Sequence, residues 1–124
     1  MRGVLVTAAA LLLAACSGGS QYDPTPQKWL GNAIAVQTRP APVEAGMNEF
    51  IIIATQPRGL PVEDLRVMIR LSDDEPWRQA IEDGATGVFR RALALREGER
   101  VLQVQLRSGS DTGVLRFLLP QKQD

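Results

Sequence analysis

The fold of this chain is decided by a stretch in which aliphatic residues occupy every second position: Leu65-Arg66-Val67-Met68-Ile69-Arg70-Leu71. Successive side chains of an extended chain point to opposite faces, so this period of two predicts a strand with one buried face. The alternation returns at 102–107 and at 115–119. It is typical of antiparallel sheets that cover a core on one side.

Seven candidate strands follow one another along the chain: 33–37, 50–55, 65–71, 77–81, 88–95, 100–107 and 114–119. Of these, 50–55 is a β-branched run typical of a buried strand, and 77–81 is compatible with either a short strand or a helical turn. Gly, Pro, Asp and Ser separate the seven segments, with turn signals about every 8–12 residues. We therefore predict an all-β fold, an antiparallel β-sandwich of about seven strands, in one domain over residues 29–124. Phe50 and Phe89 are predicted core residues. Arg91 shares the parity of Phe89, either as an inward charge that protects an edge or through a bulge.

The composition excludes several classes of function. The chain has 14 basic and 14 acidic residues, no His and one Cys. It therefore offers no zinc site of the usual kind, no Ser-His-Asp triad and no internal disulfide. A net charge of zero disfavours a nucleic-acid binder. We predict a protein that is not an enzyme and takes no metal or other cofactor.

The acidic run Asp73-Asp74-Glu75 raises the question of a calcium site. A dedicated calcium loop alternates its Asp and Asn ligands and ends on a distal bidentate Glu. This run has neither feature, so the sequence favours a solvated turn.

The beginning of the chain resembles a bacterial lipoprotein signal. Arg2 precedes an apolar run that is shorter than the roughly 20 residues of a membrane-spanning helix, and the run ends Leu13-Ala14-Ala15-Cys16. This ending resembles a lipobox, which implies a signal peptide over residues 1–15 and acyl chains, such as palmitate, on Cys16. Two or more chains anchor a protein stably. The alternative is an ordinary secretory signal with an incidental Cys.

Residues 16–28 follow as the lipidated cysteine and a tether rich in Gly, Ser and Pro, which predicts a flexible linker. The residue after the cysteine is Ser17. In the lipoproteins that this chain resembles, an Asp there favours the inner membrane. The resemblance therefore implies an outer-membrane protein that faces the periplasm.

Four landmarks occur in a recognisable order: Gly46-Met47-Asn48-Glu49-Phe50, Gly59-Leu60-Pro61-Val62, Gly87-Val88-Phe89, and Gly98 ahead of Leu102-Gln103-Val104. Together they resemble the FixH/YtkA-like family over about residues 42–119, which implies an immunoglobulin-like β-sandwich in the periplasm. Some members of that family handle copper or help to assemble copper-containing oxidases. Copper(I) needs several soft ligands at one site, whereas the predicted mature chain offers Met47, Met68 and Cys16. Arg100 also stands where the family often has an aromatic residue.

The charge pattern suggests one binding surface. The candidate strands contain eight Arg and no Asp or Glu. If the third, sixth and seventh strands share a sheet, as the resemblance implies, their outward residues converge. They are Arg66, Met68, Arg70, Gln103, Gln105, Arg107 and Arg116. Arginine binds carboxylate and phosphate bidentately, so Arg66, Arg70, Arg107 and Arg116 are the candidate partner-binding residues. The alternative is a solvated face with Arg/Gln packing and salt bridges.

These expectations combine into one hypothesis of function. The chain is predicted to be a non-catalytic protein that is anchored by lipid in the bacterial envelope. It is predicted to bind or help to assemble another envelope component, which is a protein or an anionic molecule. The alternative is a copper-handling or oxidase-assembly accessory protein, which the lack of His and the scarcity of Met disfavour.

Overall fold

The computed structural model describes residues 21–121, which form eight β-strands. The strands are β1 (Gln27–Trp29), β2 (Asn32–Arg39), β3 (Gly46–Thr55), β4 (Arg66–Arg70), β5 (Arg78–Glu82), β6 (Val88–Leu95), β7 (Val101–Ser108) and β8 (Asp111–Leu118). Within the described range there is no helix that could cross a membrane. The predicted signal peptide, Cys16 and the first part of the predicted tether lie outside the described residues.

The strands pair antiparallel in the order β1-β2-β3-β6-β5-β4-β7-β8. Strand β5 joins the two halves of this sheet. Ile81 and Glu82 pair with β6, whereas residues 78–80 pair with β4. The eight strands therefore form one continuous sheet.

The sheet curls until its two outer strands, β1 and β8, approach each other. The side-chain Nε2 of Gln27 donates to the carbonyl oxygen of Arg116 at 2.6 Å. The indole of Trp29 lies against Gly113, where any Cβ would collide with it. Glycine at this position thus permits the close approach. The sheet nearly closes into a barrel.

The predicted all-β, antiparallel fold is confirmed, and each of the seven predicted segments overlaps an observed strand. The eighth strand, β1, begins at Gln27, inside the segment that the sequence analysis assigned to the tether. Three residues are too few to show a period of two, so the pattern of apolar residues gave no signal there. The alternation also specifies strands without specifying their pairing, which is why β5 was not foreseen as a bridge between two halves of one sheet.

The core lies inside the curled sheet and takes the inward residues of every strand from β2 to β8. Phe50 and Phe89 are both buried, as predicted. Asn48 is also buried, but its polar atoms are satisfied by the loop before β3. Its amide donates to the carbonyls of Glu44 and Gly46 and accepts from the Glu44 backbone N–H. This closed loop begins β3 four residues earlier than the β-branched run predicted.

Arg91 retains its inward parity, because the register between β3 and β6 runs from Gly46↔Leu95 to Ile53↔Val88 without a bulge. Its cross-strand partner is the buried Phe50. The side chain lies where β5 leaves β6 for β4, and its guanidinium reaches the carbonyl of Gln79 at 3.5 Å. Of the two explanations, the structure supports the inward charge.

The loops and turns lie at two opposite ends of the sheet. At one end Gln21 and Tyr22 line a shallow cleft with Pro120 and Gln121, just beyond β8. We call this the entry end, and its loops are 40–45, 71–77 and 96–100. The other end, which we call the far end, carries the turns and loops 30–31, 56–65, 83–87 and 109–110.

Candidate functional site

The four candidate arginines lie on three adjacent strands, because β7 pairs with β4 on one side and β8 on the other. Arg66 is opposite Arg107, and Gln103 lies between Arg70 and Arg116. Their shared parity places them on the outward surface of these strands. We call this surface the arginine face, and its residues are Arg66, Met68, Arg70, Gln103, Gln105, Arg107 and Arg116.

Arg70 is held within this face by a network of contacts. Its guanidinium carbon lies 4.1 Å from the centre of the Trp77 ring, and its Nε donates to Gln103 Oε1 at 2.9 Å. Gln103 Nε2 donates to Asp73 Oδ1 at 2.6 Å, and the same oxygen is 3.7 Å from Arg70 Nη2. The Arg70 side chain is only 21% exposed. We assign it a bridging role that leaves little of its guanidinium to a partner.

Arg66 and Arg107 differ from Arg70 in having no ion-pair partner within residues 21–121. Both are exposed, and among the described residues neither forms an ion pair within 4.0 Å. They are opposite one another on neighbouring antiparallel strands, where like charges repel. With Asp64, Leu65 and Gly109 they line a shallow depression at the far end of the sheet. The result is a pair of cations with free hydrogen-bonding capacity.

Arg116 lies further along β8, on the other side of Gln103 from Arg70. Its side chain is exposed and forms no ion pair within the part of the chain that the structure describes. Its backbone carbonyl accepts the hydrogen bond from Gln27 that links β8 to β1. Of the four candidate arginines, three therefore present guanidinium groups that form no ion pair with another described residue.

A second charged cluster lies at the entry end, around Arg96. Its Nη2 is 3.1 Å from Glu99, 3.2 Å from Asp74 and 3.3 Å from Glu75. Ser72 Oγ donates to Asp74 and accepts from the same Nη2 at 2.9 Å. The acidic turn is exposed to solvent, as the sequence favoured, and its carboxylates are also paired with Arg70 and Arg96. No group of three or more metal-ligating side chains is arranged around an ion site within residues 21–121.

The contacts of this cluster shift two pKa values. Hydrogen bonds from Ser72 and then Arg96, with the charge of Arg96, hold the pKa of Asp74 below its ordinary value. The pKa of Arg96 is raised, first by its hydrogen bond to Glu99 and then by Asp74. The cluster therefore favours the ionised forms of both partners.

The strands are not free of acids, which corrects the expectation from the sequence. Strand β3 includes Glu49, β5 includes Glu82 and β8 includes Asp111, because each strand extends beyond its predicted bounds. Arg90 uses one of these acids, since its Nη1 is 3.2 Å from Glu49 and its Nε is 3.8 Å from Asp83. The segregation of charge survives on the arginine face itself.

The two methionines that copper handling would require lie on different strands. Met47 is on β3 and is exposed, whereas Met68 is on β4 within the arginine face. β3 and β4 are not neighbours in the sheet. Cys16 lies outside the described residues.

No family model, no curated protein and no solved structure matches this chain. The resemblance to the FixH/YtkA-like family therefore stays a prediction.

The roles of Trp77, Asp73 and Gln103 in holding Arg70 were not predicted from the sequence. The contacts join residues 3, 7 and 33 positions from Arg70, and the turn between β4 and β5 brings the first two back onto the strand. A tryptophan that follows an acidic turn after an arginine-bearing strand was the available signal, since arginine stacks on aromatic rings. The burial of Gln103 had no such signal.

Proposed function

We propose that this chain is a non-catalytic, lipid-anchored protein of the bacterial envelope that binds an anionic envelope component through its arginine face. The observation that carries the proposal is the pair Arg66–Arg107, two exposed cations directly opposite each other that form no ion pair within residues 21–121. Like charges so placed destabilise a sheet. A bound anion offsets that repulsion, which favours a binding role over a merely solvated face.

The anchor in this proposal is Cys16, with residues 1–15 as its signal peptide and the outer membrane, facing the periplasm, as its location. The entry end supports a particular arrangement. Cys16 precedes Gln21 by five residues, which span at most about 18 Å, and Gln21 lines the cleft beside Pro120 and Gln121. An anchored domain then keeps its entry end nearest the bilayer and its far end, with Arg66 and Arg107, away from it.

The finer architecture also belongs to the proposal. We propose an immunoglobulin-like sandwich in which β1, β2, β3 and β6 face β4, β7 and β8, with β5 shared between the two halves. The division of the pairings at β5 supports it.

The test is a charge reversal of the unpaired arginines, Arg66→Glu, Arg107→Glu and Arg116→Glu together. Cells that express the variant are crosslinked, and the species recovered with the protein are compared with those of the wild type. We expect loss of the crosslinked partner, because repulsion replaces a bidentate cation. Exposed charges of this kind rarely contribute more than about 1 kcal/mol to folding.

A matched control is the triple reversal Arg39→Glu, Arg78→Glu and Arg100→Glu, which changes the net charge equally on exposed arginines elsewhere. It should retain the partner. Equal recovery of the crosslinked partner with both triple variants would show that the arginine face does not bind it. The anchor is tested separately with Cys16→Ser, which we expect to lose acylation by mass spectrometry and to leave the membrane fraction.

A further inference from the structure

The depression between Arg66 and Arg107 has a charge balance that selects its ligand. We propose that it binds a single carboxylate of an acidic peptide segment that approaches from the far end of the domain. This inference rests on the proposed function and names the chemistry of its partner.

The charges that line the depression favour a ligand with one negative charge. Arg66 and Arg107 contribute two positive charges to the depression and Asp64 contributes one negative charge. Asp64 does not neutralise either arginine directly, because it forms no ion pair with them within 4.0 Å. A ligand with one negative charge balances the remaining positive charge. A phosphate monoester, which carries nearly two charges at neutral pH, leaves an excess and is repelled by Asp64.

The spacing of Arg66 and Arg107 suits a single carboxylate. Opposite residues of an antiparallel pair have Cβ atoms about 5 Å apart, and Arg66 and Arg107 are such a pair. Two guanidinium forks at this spacing can both donate to one planar carboxylate. Neither fork is engaged by another side chain of the described residues.

The apolar residues at the far end of the sheet favour a peptide over a polysaccharide as the ligand. Leu65 lines the depression, and Leu60 is 59% exposed in the same loop. Leu30, also 59% exposed, occupies the turn between β1 and β2 with a φ of 50°, a conformation that is costly for a branched residue. The far end thus presents two exposed leucines at the same end of the sheet as the cationic depression, which suits a carboxylate with apolar neighbours.

The Arg66–Arg107 pair lies at the end of the sheet opposite the entry end. Strand β8 runs from Thr112, opposite Arg107, toward Pro120 and Gln121 at the entry end. The rise of a strand places these points about 27 Å apart. If Cys16 anchors the entry end, the headgroups of that membrane lie nearer the acidic turn than the Arg66–Arg107 pair. A partner that approaches from the other side reaches the pair first.

The experiment titrates the full chain, purified in detergent, with labelled peptides and follows their fluorescence anisotropy. The reference peptide is blocked at both ends and has one Glu between leucines; its companions replace Glu by Gln or by phosphoserine. A fourth peptide has Gln and a free terminal carboxylate, which distinguishes a side-chain carboxylate from a chain terminus. We expect at least one carboxylate peptide to bind about ten-fold more tightly than the blocked Gln peptide, and more tightly than phosphoserine.

Three variants assign the binding to these residues. Arg66→Gln and Arg107→Gln should each weaken binding of the carboxylate peptide about ten-fold. The matched variant Arg78→Gln, at another exposed arginine, should leave the affinity unchanged. Asp64→Asn should improve phosphoserine binding more than carboxylate binding, because it removes the charge that repels a dianion. Circular dichroism checks that each variant is folded.

Binding of both carboxylate peptides no tighter than that of the blocked Gln peptide would overturn the proposal, as would tighter binding of phosphoserine or an Arg78→Gln effect equal to that of Arg66→Gln. If no peptide binds but the triple reversal still abolishes partner capture, the ligand chemistry is wrong and the proposed function stands. If peptides bind as expected but capture is unaffected, the carboxylate site stands and the proposed function fails.

Discussion

The two ends of the sheet use arginine in opposite ways. At the entry end Arg96 is surrounded by Asp74, Glu75 and Glu99, all within 3.3 Å of its Nη2. At the far end Arg66 and Arg107 are opposite each other, with no acid within ion-pair distance among the described residues. An arginine is therefore a structural bridge or an available cation according to the turns and loops that reach it.

Arg70 shows that the boundary between these two uses runs through the arginine face itself. It shares a strand and a face with Arg66 but contacts Trp77 and Gln103 at the entry end. A reversal of Arg70 would disrupt this network as well as the surface charge. For this reason the binding test uses Arg66, Arg107 and Arg116 and leaves Arg70 unchanged.

The largest expected loss of stability comes from a substitution in the core, against which the effects at the two ends can be compared. Phe89 is 2% exposed and opposite Ile52 inside the sheet. Phe89→Ala should lower the free energy of unfolding by about 3–5 kcal/mol, measured by urea denaturation. A cost below about 1 kcal/mol would place the ring outside the core and undo the register of β6.

The next effect compares the paired and unpaired arginines directly. Arg70→Ala should cost about 1–3 kcal/mol, because it leaves the buried Gln103 Oε1 without its donor. Arg66→Gln, on the same strand, should change the free energy of unfolding by less than about 0.5 kcal/mol. Similar costs for the two variants would contradict the division of the face.

A smaller effect concerns pH at the entry end. The pKa of Asp74 is lower in the folded chain than its ordinary value, because Ser72 and Arg96 donate hydrogen bonds to the carboxylate, so folding favours the ionised form. This contribution is present above the unfolded pKa and is lost as pH falls through the folded pKa. Asp74→Asn should therefore be less stable than wild type at pH 6, and the difference should shrink as pH falls through the folded pKa, in urea titrations. If the difference in the free energy of unfolding stayed constant as pH fell, the charge of Asp74 would not contribute to stability.

The smallest effect is the repulsion at the far end. In a double-mutant cycle with Arg66→Gln and Arg107→Gln, we expect an unfavourable coupling of about 0.2–1 kcal/mol between the two arginines. The coupling should decrease when salt rises from 0.05 to 0.5 M, because exposed charges are screened. A favourable coupling would mean that the two guanidinium groups are not simply repelling neighbours, and the argument for an anion site would weaken.

Much of the fold followed from local pattern. The segment 88–95 was predicted with the bounds of β6, and the parity of Arg66, Arg107 and Arg116 placed them outward, where the structure has them. The bounds of β3 and β8 were less accurate, because Asn48 and the tight turn at Gly109 extend those strands beyond their apolar runs. Hydrogen bonds made by polar residues begin a strand without leaving a hydrophobic signature.

The sequence by itself determined that this chain forms strands, which residues alternate inward and outward, and that the third, sixth and seventh segments carry cations. These properties depend on neighbours one or two positions away. Only the tertiary structure decided that β5 joins two halves into one sheet, and that Arg70 and Arg96 are engaged while Arg66 and Arg107 are free. Those outcomes depend on contacts such as Arg70–Gln103 and Arg96–Asp74, which join residues 33 and 22 positions apart. Such pairs exist only once the strands have taken their places, so no local pattern specifies them.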